Sequence, residues 1–314
     1  MPDLLVLATS ISTVALLVRL RTQRTKNSYL KWCGVALLLV VSLMSIIIAV
    51  GLFRLNGRTA PIPDISVAGT PEQVARGQAI SNGFCSDCHL TTSPVTGGFY
   101  VGGDFPVPIG SFVSSNLTPA GELSRWTDGE IFRAIRNGVD RDGRWLIIMS
   151  YTNARKLSDD DTQAVIAYLR SLPPAGTLTV NPPDRLNLLG VMMLGAGMLP
   201  RGWPVSTVVV TAPPKGPTLR YGEYLLSFQD CRGCHGYKLT GGVLGQAAPL
   251  GPDLSVVKGW KFEEFAAAMR TGVDPNGHEL NRQMPRWPIG RMDDKELMAI
   301  YEYLTHMPSS EDHR

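Results

Sequence analysis

The sequence predicts a mainly α-helical chain in which two tandem small domains follow one or two N-terminal membrane helices. Three observations lead there. A five-residue pattern occurs twice, as Cys85-Ser86-Asp87-Cys88-His89 and as Cys231-Arg232-Gly233-Cys234-His235. Each copy is followed by a second shared pattern. Ahead of both lies a run of 20 residues without a charge, 34–53. At 314 residues the chain has room for two domains of about 100 residues each plus extensions.

The repeated C-x-x-C-H pattern is the attachment signature of a c-type haem. Two thiols one helical turn apart add across the two haem vinyl groups, and the next residue brings an imidazole to the iron. His89 and His235 are therefore the expected proximal ligands, and two covalently attached haem c groups the expected cofactors. A zinc knuckle or a redox dithiol is the blander alternative for a single C-x-x-C. Two copies with His directly after the second Cys favour haem.

A low-spin haem needs a sixth ligand, and the second repeat supplies candidates. Gly138-Val139-Asp140-Arg141-Asp142-Gly143 is matched by Gly272-Val273-Asp274-Pro275-Asn276-Gly277. Met149 stands 8 residues before Leu157 and Met284 stands 8 before Met292; beyond them Tyr168-Leu169 pairs with Tyr303-Leu304. Such self-similarity marks a duplicated unit. Most methionines merely fill core space, but the equivalent places of Met149 and Met284 single them out as distal ligands, where a thioether raises the potential.

Both units resemble class I cytochrome c domains. Residues 72–308 together resemble the cytochrome c subunits of membrane-bound alcohol and sugar-acid dehydrogenases. The residues that carry the likeness include Gly97-Gly98, Asn116-Leu117-Thr118-Pro119, Trp126-Thr127-Asp128, Arg136-Asn137-Gly138 and Tyr168-Leu169-Arg170-Ser171-Leu172-Pro173. The resemblance implies a Met-Pro pair at the distal ligand, which Met284-Pro285 matches and Met149-Ser150 does not. It implies three haems as a rule, where this chain has two attachment motifs. It also implies that a proline carbonyl holds the proximal imidazole: Pro106 or Pro108 for His89, with Gly251-Pro252-Asp253-Leu254 as the corresponding element for His235.

From the N-terminus the expected order is a membrane anchor over 1–55, a linker over 56–70, a first cytochrome domain over 71–175, an interdomain segment over 176–215, a second domain over 216–308 and a tail over 309–314. In the anchor, residues 4–20 form a marginal first helix and 34–53 a full span, since twenty helical residues reach about 30 Å. Five basic residues between them, Arg19, Arg21, Arg24, Lys26 and Lys31, put the turn in the cytoplasm and both haem domains on the periplasmic side of a bacterial membrane. A cleaved signal peptide would need its charge before the apolar run, and Met1-Pro2-Asp3 has none. Cys33, the one cysteine outside the motifs, reads as a small buried residue. Gly57, Pro61 and Pro63 make the linker extended, giving the first domain reach from the bilayer.

Thr70-Pro71-Glu72 opens a helix that leads to Cys85. Residues 126–137, 158–172, 261–271 and 293–306 read as further helices. The apolar run 188–199 is too short to cross a bilayer. It is either a helix tucked between the domains or a docking patch.

Charge is uneven: residues 1–58 hold 7 Lys and Arg against 1 acid, and the remainder 23 against 26. Nucleic acid is thereby a poor partner. The expected function is single-electron relay by a dihaem subunit of a respiratory or photosynthetic complex, with integral membrane subunits, a redox donor and acceptor, and the lipid bilayer as partners. The alternative is the cytochrome subunit of a periplasmic quinoprotein or flavoprotein dehydrogenase. A dihaem peroxidase needs an open iron, which Met149 and Met284 would close; no substrate chemistry is expected of the chain itself.

Overall fold

Thr70 begins the first unit: its hydroxyl accepts from the Gln73 amide while the Gln73 side chain answers to the Thr70 amide, and Pro71 fills the first helical position. The computed structural model describes residues 28–89, 95–246, 249–284 and 286–307, with Leu16 and Arg19. Helix α1 spans Ser28–Asn56, α2 Pro71–Ile80, α3 Asp128–Asn137, α4 Asp159–Ser171, α5 Leu188–Gly195, α6 Leu219–Phe228, α7 Phe262–Thr271 and α8 Asp294–His306. Short helical turns carry the attachment motifs at Ser86–His89 and Cys231–His235. One two-stranded antiparallel sheet pairs β1, Gly110–Phe112, with β2, Asp184–Leu186. The fold is mainly α, as expected.

The helix starts follow from local chemistry. Thr127 and Ser158 cap α3 and α4, and Asp293 caps α8, each accepting from the amide three residues on. Gly138 and Gly272 end α3 and α7 in the left-handed conformation. The chain then makes the same hairpin twice: Val139 bridges Trp145 and Val273 bridges Glu279.

In each unit the opening helix crosses the closing one at a glycine. A Cβ on Gly77 would sit 1.8 Å from the Ala164 carbonyl oxygen, and one on Gly222 would sit 2.0 Å from that of Ala299. These are backbone-to-backbone contacts, so no larger residue fits without moving a helix. Val165, Tyr168 and Leu169 of α4 lie in the same core cluster as Ile80 of α2.

That core is not divided between the units. One buried cluster runs from Ile80 and Leu157 through Tyr221, Phe228 and Leu297. Phe84 meets Phe228 edge to face, with ring centroids 5.9 Å apart. Arg76 of α2 grips Asp161 with two hydrogen bonds, 2.7 and 2.8 Å, and also donates to Glu296 of the second unit. The Tyr224 hydroxyl donates to Asp161 at 2.6 Å and accepts from the Ser158 amide at 2.8 Å. Burial alone would lower the Arg76 pKa; the hydrogen bond and charge of Asp161, with Glu296, instead hold the guanidinium above its ordinary value.

Three expectations outside the cores need correction. Residues 57–70 are extended, but they are strapped to the first unit rather than free to reach. Arg58 donates to the carbonyls of Asn137 at 2.7 Å and Trp203 at 2.8 Å, and the Val67 amide to Asp128 at 2.9 Å. Cys33 is exposed on α1, not buried. The apolar run after residue 186 does form a helix, α5, but it packs on α1 instead of between the units. Helix α1 is 29 residues long, longer than the 34–53 expected, and is the one helix among the described residues long and apolar enough to cross a membrane. Apart from Leu16 and Arg19, both helical, the expected first membrane helix over 4–20 lies outside the described residues.

Candidate haem-attachment sites

Helix α2 does not run straight into the first motif. A π-turn over Ser81–Cys85 inserts a residue, and the Ser86–His89 turn follows. In the second unit α6 stops at Phe228, and Asp230, in the left-handed region at φ 57°, restarts the chain at Cys231. Two different devices thus deliver the same product: a thiol, a second thiol one turn on, and an imidazole.

Behind each motif a Thr-Gly-Gly triplet anchors the loop. The Gly97 amide donates to the His89 carbonyl at 2.8 Å and the Gly241 amide to the His235 carbonyl at 3.0 Å. Both glycines have positive φ, 65° and 106°, which a side chain would resist. The imidazoles are then held from their Nδ1 side. His235 Nδ1 lies 2.8 Å from the Pro252 carbonyl oxygen, as expected. His89 Nδ1 lies 2.8 Å from the carbonyl oxygen of Ser115, not of Pro106 or Pro108.

The correction has a physical reason. What the imidazole needs is a carbonyl at a fixed place, and an Asx turn sets that place. Asn116 Oδ1 accepts from the Thr118 amide at 2.9 Å, and Asp253 Oδ1 accepts from the Ser255 amide at 2.8 Å. Ser115 precedes Asn116 as Pro252 precedes Asp253. Aligning Asn-Leu-Thr with Asp-Leu-Ser would have found Ser115; looking for a proline did not.

With Nδ1 engaged by a carbonyl, each ring carries its proton there and presents a bare Nε2. Burial pushes the His89 imidazole below its ordinary pKa, against the pull of the Ser115 carbonyl, and so keeps it neutral. Burial likewise pushes the Cys85 and Cys88 thiols up to about 11 and Cys231 to about 12. Among the described residues no group of three or more His, Cys, Asp or Glu gathers as a zinc knuckle would need.

All eight expected site residues, Cys85, Cys88, His89, Met149, Cys231, Cys234, His235 and Met284, line one cavity of about 830 Å³. Its walls fit a flat apolar group at each motif. A Cβ on Gly251 would stand 2.7 Å from His235 Nδ1, so glycine keeps the ring face open. Met149 stands on a short helix, Ile147–Tyr151, and Met284 on a turn in which its amide donates to Asn281. The two halves join where Asn153, four residues past Met149, donates to Asp230 at 2.7 Å, next to Cys231. Buried there, Asn153 Oδ1 and Gln229 Nε2 have no hydrogen-bond partner within the protein. Neither was foreseen, because only the packing of one unit on the other brings them to the cavity.

Comparison with known proteins agrees with the geometry. The family described as cytochrome c oxidase, cbb3-type, subunit III matches residues 72–169 and 218–304, the two halves of the duplication. The cytochrome c subunit of the quinone alcohol dehydrogenase of Gluconobacter oxydans is 28% identical over 292 residues, 83% of this chain and 59% of that protein. A subunit of the nicotinate dehydrogenase of Pseudomonas putida is 38% identical over 102 residues, 31% of this chain and 8% of that protein. The gluconate 2-dehydrogenase cytochrome c subunit of Pantoea cypripedii is 33% identical over 101 residues, 28% of this chain and 23% of that protein. The chain therefore spans less than two thirds of the length of these relatives.

Proposed function

The chain belongs to the c-type cytochrome family described as cytochrome c oxidase, cbb3-type, subunit III, and from that premise we propose that it is the dihaem electron-transfer subunit of a membrane-bound dehydrogenase. Electron transfer by a haem c protein follows from the family. The dehydrogenase setting is supported by relatives named as cytochrome subunits of alcohol and gluconate dehydrogenases. It displaces the respiratory or photosynthetic complex that the sequence alone put first, and nothing supports a photosynthetic role.

The observation that carries the proposal is the common cavity, with an attachment motif and a methionine from each unit on its wall. Haem c supplies an iron that changes oxidation state by one electron. The chain supplies the rest. Cys85, Cys88, Cys231 and Cys234 fix the cofactors covalently. The Ser115 and Pro252 carbonyls orient His89 and His235 as proximal ligands. Met149 and Met284 would each offer a thioether to the iron, which would leave it no position for a substrate. Helix α1 anchors the chain in the bacterial cytoplasmic membrane, with both units on the periplasmic side. Donor and acceptor are redox proteins that the anchor holds close.

Isolation from membranes in mild detergent tests the setting. A flavoprotein or quinoprotein dehydrogenase subunit is expected to co-purify, with two haems per chain; a haem–copper oxidase core in its place would restore the respiratory reading. Replacing Met284 or Met149 by Ala should each lower one potential and open one iron to carbon monoxide, and an unchanged spectrum would remove that methionine from the ligand set.

A further inference from the structure

Helix α5 reaches α1 at a telling height. A Cβ on Gly195 would stand 1.9 Å from the Ile47 carbonyl oxygen, and one on Gly51 would stand 2.1 Å from that of Val191. The two backbones touch through glycine, as helices do in lipid. Ile47 lies six residues before Phe53, where the uncharged run of α1 ends, which is about 9 Å of helix. If α1 spans the bilayer, α5 sits at or below the level at which the hydrocarbon begins.

The segment is built for that position. From Leu186 to Pro200 it has no charged residue. Leu188, Leu189 and Met198 are 63%, 42% and 67% exposed, uncovered by any of the described residues. Its backbone ends are closed internally. Asn187 accepts from the Gly190 amide at 2.9 Å, and Arg54 of α1 donates to the last carbonyls, Leu194 at 2.7 Å and Gly195 at 3.3 Å. Lipid cannot satisfy such groups, so a helix lying in it must have them satisfied by protein. The first charges beyond either end, Arg185 and Arg201, are both exposed, where phosphate headgroups would meet them.

Resting on the anchored reading above, we propose that α5 is a second, non-spanning membrane element, lying at the boundary of headgroups and acyl chains. It fixes the height and tilt of the first unit on the bilayer. The strand β2 leads directly into α5 and pairs with β1, so the element is continuous with the wall of the first site. The occupant is lipid rather than another protein because the surface continues that of α1 at the same depth.

Spin labels on the full-length haem-loaded protein test this in phosphatidylcholine–phosphatidylglycerol vesicles. In a Cys33→Ser background, single cysteines replace Leu189 or Met198, with Leu43 on α1 and Leu244 on the second unit as references. The ratio of oxygen to nickel-chelate accessibility at 189 and 198 should fall below that at 43, which lies about 15 Å inside the span, and exceed that at 244 several-fold. Ratios equal to that at 244 would overturn the proposal while leaving the anchor intact. Sites closed to both reagents would mean that protein covers α5, and would overturn it too. A water-like ratio at 43 itself would remove the anchor, and the proposal with it.

Discussion

In the first unit the residue after Met149 is Ser150, and its amide donates to the Leu146 carbonyl at 3.0 Å. Its hydroxyl accepts from the indole of Trp145 at 2.7 Å. In the second unit the same place is Pro285, which has no amide hydrogen to give, and Glu279 stands where the first unit has Trp145. One residue more separates Leu280 from Met284 than separates Leu146 from Met149. By contrast the proximal side is shared down to the Asx turn, although a proline in one unit is a serine in the other. The proximal side is held by backbone carbonyls and amides, which tolerate changes of side chain. The distal side is held by side chains, and has drifted. Among the described residues only the first unit carries the strands, the strap and α5, and through α5 it packs on α1.

The largest effect should come from breaking what joins the units. Arg76→Met leaves Asp161 buried without its cation and Glu296 with Lys215 at 3.6 Å, and should cost about 3–5 kcal/mol. Calorimetry should then resolve two transitions where the parent shows one; a single unshifted transition would mean that the apolar core alone couples the halves. Ser150→Pro gives the first unit the second unit's Met-Pro pair, and removes the amide's hydrogen bond to the Leu146 carbonyl. We expect a loss of about 3 kcal/mol, read as a drop in the midpoint of the chain's one thermal transition. Tolerance would show the two distal sides to be interchangeable after all.

Gly77→Ala and Gly222→Ala test the shared half. Each places a methyl on a backbone carbonyl, and each should cost about 1–3 kcal/mol, by similar amounts. Unequal losses in chemical denaturation would show that the crossings are only superficially alike. The last test is of pH and concerns Asp184, on the first unit's share of the cavity wall. Burial raises its pKa from 3.8 to about 6, although the Ile148 and Ile147 amides pull it down. A carboxyl raised in the folded state favours folding while protonated. Stability should thus fall as pH climbs from about 4 to 6 and level off above, by at most about 3 kcal/mol. Asp184→Asn should flatten that slope in denaturant midpoints measured across the range; a slope that persists belongs to another group.

Much of this was legible in the sequence, for reasons that differ by element. The attachment motifs and the Gly-Val-Asp hairpins repeat, and repetition needs no knowledge of packing. Thr70, Thr127, Ser158 and Asp293 announce helix starts because capping is local chemistry. Ser115 escaped because a carbonyl has no sequence signature of its own. The common core, the Arg76 lock and the Asn153–Asp230 contact escaped because they join residues from about 77 to 220 positions apart. Composition made α5 look like filler between domains; only the glycines at 51 and 195, meeting across that distance, place it on α1.

A cavity walled by both units sets an order of events as well as a shape. The chain is made from its N-terminus, so the first motif is complete while Gln229, Asp230 and all of the second unit are still to come. During that interval the first site lies open along the side that Asn153 and Asp230 later close. Loading then is a matter of reaching an unfinished half-shell; loading later would require prying the finished core apart. Whatever attaches the cofactor should therefore meet the first motif before the last 85 or so residues fold, roughly the stretch after Asp230. A chain ended at residue 215 should accept one haem and remain sensitive to protease, because its cradle has no far wall.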